Sequence, residues 1–208
     1  MISILDYGIG NLGSIVNMFK YIGVESEIIS DSASILKAEK LILPGVGAFA
    51  NAMNELHKRG FVEPLNKAVM EQKTPVLGIC LGMQLLCDGS DEGGATGLGW
   101  IKGRCKKFNF DGFDEKPRIP HMGWKVLEAA QNGQLYQNNA EEKRFYFVHS
   151  YHMECVDKVD VSARATYGYP FTAAVEKGHI FGAQFHPEKS HRFGMKVLKN
   201  FSKVEKSC

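Results

Sequence analysis

A cysteine with a glycine two positions away on each side lies where an apolar strand is expected to turn into a helix. Cys80 stands between Gly78 and Gly82 in PVLGICLGMQLL, residues 75 to 86. This is the spacing of a nucleophile elbow with cysteine in place of serine, a sharp turn that needs small neighbours. Backbone N–H groups at a helix start also favour the thiolate form of a cysteine. The pattern favours a nucleophilic Cys80 over the common alternative, a small buried cysteine.

A histidine and a glutamate two positions apart could serve this cysteine as base and orienting acid. His186 and Glu188 flank Pro187 in QFHPEKS, residues 184 to 190. Proline biases the residue before it towards extended backbone, and residues i and i+2 of an extended segment point to the same side. Alone the tripeptide is typical of a surface turn. Together with the cysteine it predicts a triad of nucleophile, base and acid.

Acyl transfer on a cysteine also needs N–H donors for the oxyanion. The elbow provides the backbone N–H of Leu81. A second apolar strand ends in Pro44-Gly45-Val46-Gly47 and leads into a helix, and such a loop can lie beside the elbow at the carboxyl ends of parallel strands. We expect Gly45, Val46 and Gly47 to line the site, although an ordinary strand-to-helix turn would have the same composition.

Another glycine-rich turn offers a competing interpretation. Gly8, Gly10 and Gly13 have the spacing of a dinucleotide-binding turn, and Asp31 follows about 20 residues on, where an acid that binds ribose would stand. Asp6 and Tyr7, however, add negative charge and bulk before the first glycine. A dinucleotide-binding protein would also leave Cys80, His186 and Glu188 unexplained, so we retain it only as an alternative.

The elements that must position these residues alternate as in a parallel α/β sheet. We expect one domain over residues 1 to 208, an α/β fold with a mixed, mainly parallel central sheet flanked by helices. The expected early strands cover residues 2–5, 25–29, 41–43 and 76–79, with helical stripes at Phe49, Ala52, Met53 and Leu56 and at Phe61, Leu65, Ala68 and Val69. Later strands at 144–148, 172–175 and 179–185 should form hairpins on one sheet edge, before a helix near 193–201.

Composition and charge narrow the classes of partner and the cellular location that we expect. The net charge of +2, from 25 basic and 23 acidic residues, argues against nucleic acid and membrane binding. The start shows no export signal and no apolar run approaches a membrane span, so we expect a cytoplasmic protein. Five scattered cysteines, one of them the terminal Cys208, favour neither disulfides nor zinc. His149 and His152 should face opposite sides of a strand, so we expect no metal.

Several motifs together resemble one family, the class I glutamine amidotransferases. The two diagnostic runs are GICLGMQ at 78–84 and HPE at 186–188. Four further runs resemble its branch of glutaminase subunits of imidazole glycerol phosphate synthase and span nearly the whole chain: DYGIGN at 6–11, LPGVGAF at 43–49, PHMGW at 120–124 and FVHSY at 147–151. The resemblance implies a flavodoxin-like glutaminase fold.

The resemblance also implies a reaction and a partner. Cys80 would attack the side-chain amide of L-glutamine, His186 would protonate the leaving ammonia, and water would cleave the glutamyl thioester without a cofactor. A (β/α)₈-barrel synthase subunit in a heterodimer would use the ammonia to make imidazole glycerol phosphate and AICAR. Family positions that contact glutamine match Gln84, Glu92, Ser150 and Tyr151, and positions near the partner match Asn11, Trp124 and Lys189.

One position departs from the pattern of this branch. Lys125 follows PHMGW, where the histidine-pathway subunits usually have asparagine. A related glutaminase that supplies a sugar-amidinating enzyme therefore stays as an alternative. A non-catalytic subunit is disfavoured because every triad member is present. The flexible Pro-Gly-Val-Gly loop further suggests that the isolated chain has low glutaminase activity until its partner docks.

Overall fold

The computed structural model describes residues 1–129, 133–136 and 143–206. Its strands are β1 (Ile2–Leu5), β2 (Ser26–Ile29), β3 (Leu41–Leu43), β4 (Val76–Ile79), β5 (Cys87–Ser90), β6 (Ile101–Lys107), β7 (His121–Val126), β8 (Glu128–Ala129), β9 (Arg144–His149), β10 (Tyr151–Cys155), β11 (Val161–Tyr167), β12 (Tyr169–Lys177) and β13 (Ile180–Ala183). Its α-helices are α1 (Leu12–Tyr21), α2 (Ser32–Lys37), α3 (Phe49–Lys58), α4 (Val62–Asn66), α5 (Leu81–Leu85) and α6 (His191–Ser202). Short helical turns lie at Lys67–Glu71, Gln134–Tyr136, Lys158–Asp160 and Pro187–Lys189.

The central sheet is mixed and mainly parallel. Within the described ranges it has eight strands in the order β2-β1-β3-β4-β13-β12-β11-β8. The five strands from β2 to β13 run parallel to their neighbours, whereas β12, β11 and β8 add antiparallel pairs. The predicted fold class is confirmed, and Cys80 follows β4 in the middle of the sheet.

Both faces of the sheet are covered by helices. In β1, Ile2 and Ile4 pack in the cluster that contains residues of α1 and α6, while Leu5 packs in the cluster with α2 to α5. Successive strand residues point to opposite faces, so a strand covered on both sides has apolar residues on both. The two predicted helical stripes, at 49–56 and 61–69, are buried as expected.

The predicted edge hairpins are only partly right. Residues 172–175 and much of 179–185 form strands, but β13 lies inside the sheet, between β4 and β12. Residues 144–148 do form a strand, but the expectation that they join the edge of the central sheet is wrong, because β9 pairs with β7 in a separate two-stranded ribbon. The other edge of β9 is taken by the segment after β13, where His186 N–H donates to the Tyr146 carbonyl at 2.9 Å.

Two expectations remain, one about a membrane-spanning helix and one about Cys208. No helix in the described ranges combines the length and the apolar character needed to cross a membrane. Cys208 lies outside the described residues.

Candidate active site

Cys80 occupies a strained turn between β4 and α5. Its backbone has φ 54° and ψ −108°, which is rare for a residue with a side chain and costs roughly 1–3 kcal/mol. The Cys80 N–H donates to the Ala183 carbonyl of β13 at 2.7 Å, which holds the turn in place. A Cβ on Gly82 would lie 1.8 Å from the Leu43 carbonyl oxygen, so this position admits only glycine. The glycines at this turn thus have the role that the sequence predicted for them.

His186 is fixed by Glu188 in the geometry of a base and its orienting acid. The His186 Nδ1 lies 2.7 Å from Glu188 Oε1, and both side chains are almost completely buried. Ser190 Oγ donates to the His186 carbonyl at 2.6 Å and fixes the backbone. The second ring nitrogen, Nε2, is buried and makes no hydrogen bond to any described residue. It is therefore left as an acceptor on the side of Cys80.

The charge environment of His186 favours its protonated form. Burial lowers its pKa, but the interactions with Cys80 and with the hydrogen-bonded Glu188 outweigh burial and raise the pKa to about 9. A histidine with this bias accepts a proton from a thiol and holds it as imidazolium. The structure thus brings the three predicted triad residues together.

Cys80 and His186 border a cavity of about 270 Å³, whereas Glu188 does not line it. Residues predicted for the site make up most of its lining: Val46, Gly47, Cys80, Leu81, Gln84, Glu92, Ser150, Tyr151, His186 and Lys189. Pro120, Val148 and His149 line it as well and were not predicted. The cavity lies at the carboxyl ends of parallel strands, where α/β sheets bind their ligands.

The expected oxyanion donor of Leu81 is already bonded within the protein. The Leu81 N–H donates to the Gly45 carbonyl at 3.3 Å, and Gly45 is buried rather than part of the cavity wall. Val46 and Gly47 are exposed, and Gly47 has φ +99°. In this arrangement the Gly45 carbonyl fills the place that a substrate oxyanion would need beside Leu81.

Two predicted substrate contacts also hold the cavity wall together. Gln84 Nε2 donates to the Tyr151 carbonyl at 2.8 Å and to Gln184 Oε1 at 3.1 Å. Glu92 Oε2 accepts the Phe49 N–H at 2.8 Å, at the start of α3. Glu92 reaches the cavity because the glycine-rich chain after β5 folds back, with Gly89 bridging to Thr96.

A buried histidine pair adjoins the cavity, and sequence reasoning missed it. In the β7–β9 register His121 lies opposite His149, and His121 Nδ1 is 3.1 Å from His149 Nε2. Burial lowers the pKa of His149 to about 3 and that of His121 to about 4. His149 and His152 were expected to face opposite sides, which is wrong, because the bend at Ser150 lets both rings pack on Phe108.

The first glycine-rich turn does not have the geometry of a dinucleotide site. The Gly8 N–H donates to Asp6 Oδ1 at 2.9 Å and is not free for a phosphate. A Cβ on Gly13 would meet open space, so nothing there needs close helix-to-strand packing. Asp31 caps α2 by accepting the Ser34 N–H at 2.9 Å. The turn instead adjoins the Pro44 loop, since buried Tyr7 donates its hydroxyl to the Pro44 carbonyl at 2.6 Å.

The three residues expected near a partner lie around one turn of the chain. Lys189 is exposed in the Pro187–Lys189 turn and borders the cavity. Exposed Trp124 stacks on the ring of His191 at 5.5 Å, two residues further on. Exposed Asn11 caps α1, which packs against the same turn.

Comparison with known proteins gives a family match over nearly the whole chain. The family model described as glutamine amidotransferase class-I matches residues 3–204. The chain is 50% identical over 203 residues to "Imidazole glycerol phosphate synthase subunit HisH 2" of Methanococcus maripaludis, covering 98% of this chain and 99% of that protein. It is 45% identical over 204 residues to subunit HisH of Leptospira borgpetersenii, covering 98% and 100%.

The fold also matches solved structures. The "Structure of PurLQS from Thermotoga maritima" superposes with a TM-score of 0.74 at 19% identity, covering 96% of this chain and 96% of that chain. A "Crystal structure of glutamine amidotransferase" gives a TM-score of 0.70 at 18% identity, covering 95% and 98%. At this identity the likeness concerns the fold alone.

Proposed function

Because the chain belongs to the class I glutamine amidotransferases, we propose that it hydrolyses glutamine on Cys80 and supplies the ammonia to a synthase that makes imidazole glycerol phosphate in histidine biosynthesis. The observation that carries this proposal is a cavity bordered by Cys80 and His186, with Glu188 holding the His186 ring at 2.7 Å. Residues 1 to 208 would form one amidotransferase domain that acts in the cytoplasm and uses no cofactor.

The geometry supports a thioester mechanism. His186 Nε2 takes the Cys80 proton, and the thiolate attacks the side-chain carbonyl carbon of glutamine. The imidazolium then protonates the leaving nitrogen, so that ammonia departs and a glutamyl thioester stays on Cys80. Water, activated by the same ring, cleaves the thioester to glutamate. Glu188 stabilises the imidazolium through the 2.7 Å contact with Nδ1.

Substrate positioning follows from the groups that face the cavity. Gln84 has both amide hydrogens engaged, which leaves its Oε1 to accept a hydrogen bond from the glutamine carboxamide. Glu92 adds a carboxylate suited to the substrate ammonium group, and Ser150 and Tyr151 form the opposite wall.

Activity would depend on a rearrangement of the Pro44 loop. The Leu81 N–H must leave the Gly45 carbonyl before it can bind an oxyanion. A turn of the peptide between Gly45 and Val46 would remove this carbonyl and point an N–H inward. Tyr7 connects that loop to the DYGIGN turn through its bond to Pro44, so a partner that touches the turn could favour the active arrangement.

The proposed docking face carries apolar side chains that are largely exposed. Met122, Trp124 and Val126 project from the same side of β7 and are 63%, 44% and 40% exposed. Together with Asn11 and Lys189 they surround the cavity side of the molecule. We place the (β/α)₈-barrel synthase here, as a heterodimer in which ammonia passes directly between the two sites.

The sequence departure at Lys125 is the basis of a second candidate for the partner, a sugar-amidinating enzyme. The Lys125 side chain points to the other side of β7 from Trp124, with Nζ 5.3 Å from the centre of the Tyr167 ring, so this partner is supported by the sequence alone.

The deciding experiment is glutamate release from glutamine by the purified chain, alone and with the histidine-pathway barrel synthase plus its nucleotide substrate. We expect slow release alone and strong stimulation in the complex. C80A should abolish both, whereas C87A, which removes a buried thiol outside the cavity, should retain activity.

Each alternative has its own outcome in this experiment. Hydrolysis that the synthase neither binds nor stimulates would favour the sugar-pathway partner. Equal turnover with and without the synthase would contradict the loop rearrangement, and retained activity in C80A would contradict the assignment of the nucleophile.

A further inference from the structure

The side chain of Gln184 contacts the Cys80 sulfur from the interior of the protein. Gln184 follows β13 and is completely buried. Its Nε2 lies 3.9 Å from Cys80 Sγ, and its Oε1 accepts from Gln84 Nε2 at 3.1 Å. Gln184 does not line the cavity, and one residue, Phe185, separates it from His186 in the chain.

Hydrogen bonding fixes which end of Gln184 faces the sulfur. The Tyr151 carbonyl can only accept, and it lies 2.8 Å from His149 Nδ1 and 2.8 Å from Gln84 Nε2. Both groups must therefore donate to it. The second hydrogen of the Gln84 amide then goes to Gln184 Oε1, which leaves the Gln184 NH₂ group towards Cys80. Reversing the Gln84 amide would place two acceptors against each other, and reversing the Gln184 amide would place two donors against each other.

The other close contact of the Cys80 sulfur offers no hydrogen-bond donor. Cys80 Sγ lies 3.8 Å from the Val148 carbonyl oxygen, which suits an S–H group but repels a thiolate. The titratable groups that face the sulfur are His186 and Tyr7, and the Tyr7 hydroxyl hydrogen is given to Pro44. Apart from His186, Gln184 is the described side chain that presents a hydrogen-bond donor to the sulfur.

We propose that Gln184 is a further catalytic residue, whose side-chain N–H stabilises the Cys80 thiolate and whose orientation is set by the Tyr151 carbonyl through Gln84. The proposal deepens the proposed glutaminase function and rests on Cys80 being the nucleophile. A hydrogen bond to a charged acceptor commonly shifts an equilibrium by more than tenfold. Loss of this donor should therefore lower the thiolate fraction at neutral pH by about that factor.

Two substitutions separate action on the sulfur from support of Gln84. Q184M keeps the length of the side chain but removes both the donor and the acceptor. Q184E keeps an acceptor for Gln84 and removes the N–H beside the sulfur. Q134M, at an exposed glutamine remote from the cavity, is the matched control. All variants are made with C208S, so that the terminal thiol does not consume reagent.

The test is the rate of iodoacetamide alkylation at Cys80, followed by mass spectrometry at pH 7.0 and at pH 10. This reaction needs neither glutamine turnover nor a partner, so it reports on Gln184 even if the glutaminase proposal fails. We expect Q184M and Q184E to react about tenfold more slowly than Q134M at pH 7.0, with the rates converging at pH 10.

Three results would overturn the proposal. A wild-type alkylation rate in Q184E, with a slow Q184M, would show that Gln184 acts only through Gln84. Wild-type rates in both variants would show that the donor is unimportant. An equal loss at both pH values would indicate altered access to Cys80 rather than altered ionisation. If Q184M does not fold by circular dichroism, Q184E alone decides, because a wild-type rate in Q184E overturns the proposal in either case.

Discussion

Mild acid should destabilise this protein through the buried pair His121 and His149. His149 Nε2 accepts the hydrogen bond from His121, and its Nδ1–H is given to the Tyr151 carbonyl. Burial lowers the pKa of His149 to about 3 and that of His121 to about 4. Both rings are therefore neutral in the folded protein at pH values where the unfolded chain binds protons.

These two pKa values set the direction and the size of the change in unfolding free energy with pH. In the unfolded chain a histidine has a pKa of about 6.5, above the folded value. The stability held by the neutral rings is complete above pH 6.5 and is lost as pH falls towards 4 and 3. Between pH 7.5 and 5.0 each ring costs about 2 kcal/mol, and the pair about 4 kcal/mol, of unfolding free energy.

His186 acts in the opposite direction and must be separated from this effect. Its pKa is raised to about 9, so its contribution is complete below pH 6.5 and is lost as pH rises through 9. Comparing the wild type with H121F cancels it, because only one histidine differs. The phenylalanine keeps a ring between Phe147 and Tyr167, on which His121 stacks.

Urea unfolding at pH 7.5 and 5.0, followed by circular dichroism, measures the difference. We expect the loss of unfolding free energy in acid to be about 2 kcal/mol smaller in H121F than in the wild type. H57Q, which replaces an exposed histidine on α3, should lose as much as the wild type. An H121F loss within about 0.5 kcal/mol of the wild-type loss would refute the assignment to this pair.

Two further predictions concern the elbow turn and the docking face. G82A should destabilise the protein by roughly 3 kcal/mol or more, because its Cβ would lie 1.8 Å from the Leu43 carbonyl oxygen. G13A faces open space inside α1 and should be neutral or stabilising by up to about 1 kcal/mol. Thermal unfolding checks both, and equal effects would contradict the close packing at Gly82. W124A should weaken synthase binding about tenfold or more by calorimetry, whereas M70A, at an exposed methionine away from this face, should bind as the wild type. Unchanged binding of W124A would remove β7 from the interface.

The sequence predicts the part of the site that depends on local chemistry. Cys80 lies at a strand-to-helix turn, and His186 and Glu188 lie two residues apart on extended chain. Both patterns can be read from neighbouring residues, and the structure has both. The alternating early strands are predictable for the same reason, since buried parallel strands have continuous apolar runs.

The missed features depend on pairing between distant segments. His121 meets His149 only through the register of β7 and β9, and the sequence contains no local signal for that pairing. The same holds for the position of β13 inside the sheet. The bend at Ser150 also reversed the expected facing of His152, because strand periodicity ends wherever the chain bends.

The position of β13 has a consequence for the order of folding. It pairs with β4 across about a hundred intervening residues, with Ala183 opposite Ile79. Contacts of such large sequence separation form late, since closing a long loop costs entropy before any contact compensates for it. During synthesis from the N-terminus, Cys80 leaves the ribosome long before His186 exists. The nascent chain therefore carries an unassisted thiol, and the reactive pair is assembled in one of the last steps of folding.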